Sequence, residues 1–353
     1  MGTMKAAMVY GKDDLRLVDM DIPQTPENSI RIRVKACSIC GTDRRIYKVG
    51  DFRAQYPVVV GHEIAAVVDE VKDPHSAFNV GDRVVVAPGH GCGYCAACKS
   101  GYPNVCTSPH PSLGYALNGG FAEYMAVPEH IYRLGFVNKI PESLSFAQAT
   151  MSEIIACCIN AQDNVNVQKG DTVLILGAGP AGIIHAILSK LRGASKVIIA
   201  QRSRFRLDQV MAKFSGVVDA AVCMSEQDLK TEVLAQTAGL GANVVLVCAP
   251  SKDAQELALD VVTARGRVNF FGGLPKDNRF ISLDSNSLHY KEFFVSGASS
   301  SRPENNKEAL ALLDKRLIDP DLLITHHYSL ADIKAAFDVV ETRECIKVVV
   351  NMG

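Results

Sequence analysis

The segment Lys169–Gln201, KGDTVLILGAGPAGIIHAILSKLRGASKVIIAQ, decides the fold. TVLIL is a short apolar run, as expected of a strand buried on both faces, and IIHAILSKL has the length and composition of a helix. Between them Gly177, Gly179 and Gly182 form G-x-G-x-x-G around Pro180 and Ala181. Alone this spacing is weak; directly after a strand and opening a helix it predicts a dinucleotide-binding turn. The first glycine permits the turn, the second lets a pyrophosphate approach the backbone, and the third lets helix and strand pack closely. The helix N-terminus supplies amide donors and positive dipole for the phosphates. The alternative is an ordinary tight turn.

The end of the next strand bears on the cofactor. An acidic residue there binds the adenosine ribose hydroxyls and selects NAD(H). This chain has Gln201, followed by Arg202, Ser203, Arg204, Phe205 and Arg206. Without the carboxylate, a 2′-phosphate meets no repulsion, and a guanidinium can pair it with two hydrogen bonds. NADP(H) is therefore favoured over NAD(H), with Arg202 the leading candidate and Ser203 and Arg206 in support. A solvated basic helix start, with NAD accepted through Gln201, is the competing reading.

Outward from this segment, apolar runs at VVLVCAP and VNFFGGLP alternate with helical stretches such as DAQELALDVVTA, the pattern of a parallel sheet covered on both faces. FFVSGAS reads as a last strand of that sheet. Upstream, FAQATMSEIIACCINAQ reads as helix. Before it, SIRIRVKACSI, YPVVVGHEIAAVVDEV, VGDRVVVAP and GGFAEYMAVP read as short strands between turns, a small β-rich domain. ENNKEALALLDKRL and SLADIKAAFDVVE read as helices and IKVVVNM as a strand that can return to the first domain. The expected fold class is α/β, a β-rich domain beside a doubly wound parallel sheet.

Four cysteines, Cys92, Cys95, Cys98 and Cys106, crowd the stretch GCGYCAACKSGYPNVC. Gaps of two residues let neighbouring sulfurs converge on one ion, and four sulfur ligands with no open position describe a structural zinc site. Four unrelated buried thiols are the alternative. Cys40 follows a strand in SICGTDRR, and His62 and Glu63 sit at a glycine turn in VVVGHEIAAVV. A cysteine, a histidine and a carboxylate at strand ends suit a catalytic zinc with an open position. Glu153, at the start of the helix joining the domains, is a further carboxylate.

Together CGTD at 40–43, GHE at 61–63, the four-cysteine lobe, GGFAEY at 119–124 and LGAGPAG at 176–182 resemble the zinc-dependent medium-chain dehydrogenase/reductase superfamily over essentially the whole chain. The likeness is greatest to its polyol branch of sorbitol, galactitol-phosphate and threonine dehydrogenases. The resemblance implies a GroES-like catalytic domain from both chain ends, 1–153 and 298–353 with a zinc lobe at about 90–107, and an inserted Rossmann domain at 154–297, the active site lying in the cleft. It implies two zinc ions, a catalytic one among Cys40, His62 and Glu63 or Glu153, and a structural one. It makes Thr42 the hydroxyl that passes the substrate proton, and it implies a homodimer or homotetramer through Rossmann strand edges.

Two departures from the superfamily pattern stand out. A histidine relay is usual five residues after the catalytic cysteine; here that residue is Arg45, which cannot titrate near neutral pH. The proton then leaves by water, Thr42 or the cofactor ribose. Arg44 and Arg45 either contact an anionic substrate group or form a solvated pair. Ile64 replaces the usual bulky aromatic after GHE, an expected change in the pocket wall.

The implied reaction is reversible oxidation of a secondary alcohol, on a polyol or sugar-derived substrate that is plain or phosphorylated. Simple alcohols or threonine are the neighbouring alternative. A non-catalytic NADPH-binding protein is more remote, because zinc-free members lack the Cys40, His62 and lobe-cysteine set. A net charge of -1 gives no ground for nucleic acid or an anionic membrane as partner, leaving a small-molecule substrate. The start of the chain has no signal-peptide plan, and eleven cysteines without one point to a reducing cytoplasm.

Overall fold

The computed structural model describes residues 2–353. Two compact units divide the chain, 1–156 with 301–353, and 157–300. The breaks at 156/157 and 300/301 fall just beyond 153/154 and 297/298 read from the sequence, because Ser152–Asn164 is one continuous helix through the first of them.

In the first unit, β1 (Thr3–Gly11) and β2 (Asp14–Asp21) form an antiparallel hairpin. β3 (Ile30–Ser38) leads into α1 (Gly41–Lys48), and β4 (Val58–Val59) lies beside β1. β5 (Glu63–Val71) pairs antiparallel with β3, and β6 (Arg83–Val86) pairs antiparallel with β5. After the cysteine lobe, which contains α2 (Ala96–Lys99), come β7 (Tyr124–Val127), α3 (Glu129–Arg133) and β8 (Val137–Lys139). The expected single helix over FAQATMSEIIACCINAQ is two, α4 (Phe146–Ala149) and α5 (Ser152–Asn164), broken where the Thr150 hydroxyl bonds back to the Ala147 carbonyl at 2.7 Å.

The second unit holds β9 (Thr172–Leu176), α6 (Pro180–Leu191), β10 (Lys196–Gln201), α7 (Arg204–Phe214), β11 (Ala220–Cys223), α8 (Leu229–Gln236), β12 (Ala242–Val247), α9 (Lys252–Val261), β13 (Val262–Phe270), α10 (Ser285–Lys291) and β14 (Phe294–Gly297). All adjacent pairs are parallel in the order β11-β10-β9-β12-β13-β14. Val173, Leu174, Ile175 and Leu176 are all essentially inaccessible, which is why this strand reads as a continuous apolar run. One expectation needs correction: the helix over DAQELALDVVTA stops at Val261, and Val262, Thr263 and Ala264 begin β13. Val262 pairs with Ala242, so β-branched side chains and ladder bonds outweigh the helical continuation.

The chain then returns to the first unit through α11 (Pro303–Asp314), α12 (Pro320–Leu323), β15 (Ile324–Ser329), α13 (Ile333–Thr342) and β16 (Lys347–Asn351). β16 pairs with β3, completing the order β15-β16-β3-β5-β6-β8 with β7 also on β3. Lys347 is thereby carried from the chain's end to the strand that precedes Cys40. The architecture is the α/β class expected: a β-rich GroES-like unit and a parallel Rossmann sheet. Among the described residues no helix is long and apolar enough to cross a membrane.

Candidate active site and metal centres

Cys40 caps the N-terminus of α1 immediately after β3. Three residues on, the fully buried Asp43 accepts the Cys40 backbone N–H at 2.8 Å. Its other oxygen accepts the Gly61 N–H at 3.0 Å and meets His62 Nδ1 at 3.0 Å. Asp43 therefore ties the start of α1 to the turn before β5. A carboxylate only accepts, so Nδ1 carries the hydrogen and Nε2 is left for a ligand. Burial opposes charge on the His62 ring, but Asp43, Tyr115 and Cys40 outweigh it and raise its pKa well above the ordinary value.

Ligand atoms of Cys40, His62 and Glu63 all lie within 4.8 Å of one another. Glu63 is fully buried; its carboxylate accepts the Ser38 hydroxyl and the Lys347 ammonium, the latter at 2.6 Å. Burial works against the Lys347 charge, yet Glu63, Cys40 and Glu153 hold its pKa above the usual lysine value. Glu153 lies outside the three-residue set, buried in the first turn of α5, where its charge acts on both Lys347 and Tyr115. Glu63 and Glu153 set two carboxylates near one buried ammonium, with the Cys40 thiol close to them. Thiolate, imidazole and carboxylate are a donor set suited to zinc.

The lobe is a second group that could hold a metal ion. All four sulfurs lie within 4.8 Å, with Cys92 to Cys98 at 3.9 Å and Cys95 to Cys106 at 3.8 Å. Four sulfurs at ~2.3 Å from a central ion would stand about 3.8 Å apart along the edges of a tetrahedron. Backbone N–H groups of Cys92 and Ser108 point at Cys106 Sγ, both at 3.3 Å. Backbone hydrogen bonds at Cys98 and Thr107, together with side-chain bonds there, pull the Cys95 thiol down to about 5 against desolvation. The donors fit a structural zinc with no open position.

In the second unit the glycine turn has the form expected. Gly177 has φ +119°, and a Cβ on Gly182 would lie 1.9 Å from the Gly177 carbonyl oxygen. A Cβ on Gly179 would meet nothing within 4 Å, so this backbone faces open space in front of Pro180 and Ala181, the first residues of α6. That is a cradle for a pyrophosphate. At the end of β10, Gln201 Oε1 accepts the Arg202 N–H at 2.9 Å. The Arg202 guanidinium makes one exposed contact to Asp253, at 3.2 Å. Ser203 caps α7 by accepting the Arg206 N–H, and Arg206 is itself buried, with Nη1 on Gln209 at 3.3 Å.

Two family models match the chain: the alcohol dehydrogenase GroES-like domain over residues 26–139 and zinc-binding dehydrogenase over 180–315. A sorbitol dehydrogenase of Halalkalibacterium halodurans is 31% identical over 343 residues, covering 97% of each chain. The chain belongs to the zinc-binding dehydrogenases. An L-threonine 3-dehydrogenase of Pyrococcus abyssi is 34% identical, covering 98% of this chain and 97% of its own. Two crystal structures each cover 100% of both chains at TM-score 0.89. One, 28% identical, is from Sinorhizobium meliloti 1021, is described as a zinc-binding dehydrogenase and has NADP bound. The other, 29% identical, is a short chain alcohol dehydrogenase from Escherichia coli CFT073 complexed with NADH.

For this zinc-binding dehydrogenase the structure brings Cys40, His62 and Glu63 together, and it brings the four lobe cysteines together. It also supplies residues that pattern reading missed. Asp43 was visible within CGTD but carried no sign that it orients His62. Lys347 had no signal at all, since its partner Glu63 is 284 positions away. Tyr115 packs beside His62 with ring centroids 5.4 Å apart. Thr42, the second residue of α1, makes no side-chain hydrogen bond among the described residues. Arg44 is held by Glu341 at 2.5 Å and Arg45 by Asp51 at 2.8 Å, so these two are structural ion pairs rather than a solvated pair. Ile64 is not a pocket wall: it is buried in the core against Gly120, where a Cβ would fall 2.5 Å from Ile64 Cγ1.

Proposed function

We propose that this chain is a zinc-dependent NAD(P)(H) oxidoreductase that interconverts a secondary alcohol, polyol or sugar-derived, with its ketone. The observation that carries the reading is the convergence of Cys40, His62 and Glu63 beneath Asp43, with His62 Nε2 left for a ligand. Once bound, zinc supplies Lewis acidity toward the alcohol oxygen and the nicotinamide ring supplies the hydride acceptor. The chain's own residues do the rest. Asp43 fixes the tautomer and angle of His62, and Lys347 with Ser38 fixes Glu63. Glu63 and Glu153 are both kept as metal-site carboxylates. Thr42 takes the proton from the substrate hydroxyl and passes it to water, because Arg45 is fixed on Asp51 and does not titrate. Tyr115 covers His62 and excludes water.

Gly177, Gly179 and Gly182 receive the pyrophosphate. NADP(H) is preferred: no carboxylate ends β10, and the Arg202 contact to Asp253 is exposed and weak enough to exchange for a phosphate. Cys92, Cys95, Cys98 and Cys106 hold a structural zinc that does no chemistry. The edge strand β14 exposes Phe294 and Val295, next to a largely exposed Tyr290 near the end of α10, which supports a homodimer or homotetramer through that edge. Eleven free cysteines agree with a reducing, cytoplasmic setting. The threonine dehydrogenase likeness keeps threonine as a second reading of the same site.

The test is one panel of polyols, polyol phosphates, threonine and short secondary alcohols, each with NADP+ and NAD+, alongside elemental analysis of protein purified without chelators. The expected result is turnover of a polyol-type substrate, faster with NADP+, and zinc near two per chain. Absence of zinc together with absence of turnover would leave only a dinucleotide-binding protein.

A further inference from the structure

The segment between α1 and β4 carries a cation that the reaction as described leaves without a task. Asp51, its side chain only 3% exposed, anchors the segment. It accepts the Arg53 backbone N–H at 3.0 Å, Arg53 Nε at 2.9 Å and Arg53 Nη2 at 2.8 Å, and it also accepts Arg45 Nη2 at 2.8 Å. Two guanidiniums thus share one carboxylate, and one positive charge is left over. Arg44 adds nothing to this, because Glu341 neutralises it.

The position of that charge is set by aromatic stacking. The Arg53 guanidinium lies over the Tyr115 ring, 4.6 Å from its centroid. Tyr115 also neighbours His62, at 5.4 Å, so guanidinium and imidazole are no more than about 10 Å apart. The loop is pinned in this place: the Gln55 N–H donates to the Tyr115 carbonyl at 3.1 Å and the Tyr56 hydroxyl to the Ile46 carbonyl at 2.8 Å. With Nε and Nη2 on Asp51, Arg53 Nη1 has no hydrogen-bond partner among the described residues, and the side chain is 44% exposed. A bidentate, stacked guanidinium with an unused edge beside a reaction centre is built to receive an anion.

We infer that the site takes a hydroxylated substrate bearing an anionic group, carboxylate or phosphate, and that Arg53 is the residue that receives it. This rests on the dehydrogenase reading above and deepens it. Arg53 touches substrate but not the reacting carbon, so its effect falls on KM more than on kcat.

The experiment uses matched sets of a polyol, its aldonate and its terminal phosphate ester, assayed with the zinc-loaded wild type, Arg53→Ala and Arg53→Lys. Calorimetry adds equilibrium binding of aldonate and polyol. One anionic member of a set is expected to exceed the neutral polyol at least about tenfold in kcat/KM; which member does so separates carboxylate from phosphate. Arg53→Ala lowers that anionic value about 10- to 100-fold, mainly through KM, and the neutral value a few-fold through the lost Tyr115 stack. Arg53→Lys restores part of the anionic loss. An anionic-to-neutral ratio that is the same in wild type and Arg53→Ala, or a wild type that prefers the neutral polyol, overturns the inference while the dehydrogenase reading stands. Failure of wild type to turn over any member overturns both. Should Arg53→Ala not fold, wild-type calorimetry decides: tighter aldonate binding supports the role, equal binding removes it.

Discussion

In the second unit the residues proposed for a dinucleotide lie between Gly177 and Arg206, on one strand, turn and helix and on the strand and helix start that follow. In the first unit the metal group draws Cys40 and Asp43 from the start of α1, His62 and Glu63 from the turn before β5, Tyr115 from a loop and Lys347 from β16. The contiguous site is held by backbone geometry: a carbonyl at Gly177, an absent Cβ at Gly182, a helix N-terminus. The dispersed site is held by buried charge, with Asp43 bonded to His62 and Glu63 to Lys347. A site of the first kind tolerates loss of a side chain, because amides do the binding. A site of the second kind does not, because each buried charge depends on its partner.

Substitutions at three places test that contrast. Replacing the proposed ligands has the largest effect. Cys40→Ser or His62→Ala lowers turnover by at least about 10³-fold, while NADP(H) binding followed by fluorescence titration stays within about twofold. Retained turnover would remove these residues from the catalytic centre, and a parallel loss of cofactor binding would show that the two sites are not built independently.

Lys347→Met comes next. It strands the Glu63 carboxylate in a place with no exposure, and removing one member of a buried pair costs about 3–5 kcal/mol. Urea unfolding should show that loss, and the double substitution Lys347→Met with Glu63→Gln should recover at least half of it. If the single variant is as stable as wild type, the pair is not what holds Glu63.

Arg202→Ala is the mildest, since Arg202 is two-thirds exposed. The KM for NADPH should rise about tenfold, about 1.4 kcal/mol, with the KM for NADH nearly unmoved. Equal change for both cofactors would take Arg202 out of 2′-phosphate recognition.

The same contrast explains which features pattern reading reached. GxGxxG, the end of β10 and the four-cysteine lobe are local: spacing along the chain is spacing in space, so glycine roles and sulfur convergence follow from the string of letters. The metal group was reached only as separate ligand types plus a family resemblance. Its supports were not reached. Asp43 reads as an ordinary helix N-terminal acid, Lys347 as the lead residue of an apolar strand, and Arg53 as one cation in a polar loop. The helix limit at Val261 was misread for the same reason, since only pairing of Val262 with Ala242 turns those residues into strand. The assignment of Ile64 to a pocket wall failed because a residue's direction across a strand depends on what faces it, here Gly120.

By itself, then, the sequence determined the class of the protein, a β-rich unit with an inserted parallel sheet, and it offered candidates for a dinucleotide turn and for two metal groups. These depend on periodicity and short spacing, which are written in neighbouring residues. The tertiary structure decided which charges meet. It set Asp43 on His62, Lys347 on Glu63 and Glu341 on Arg44, and it put Arg45 and Arg53 together on the carboxylate of Asp51. Electrostatic partners are chosen by proximity in space, across as many as 297 positions of chain, and no local pattern encodes that.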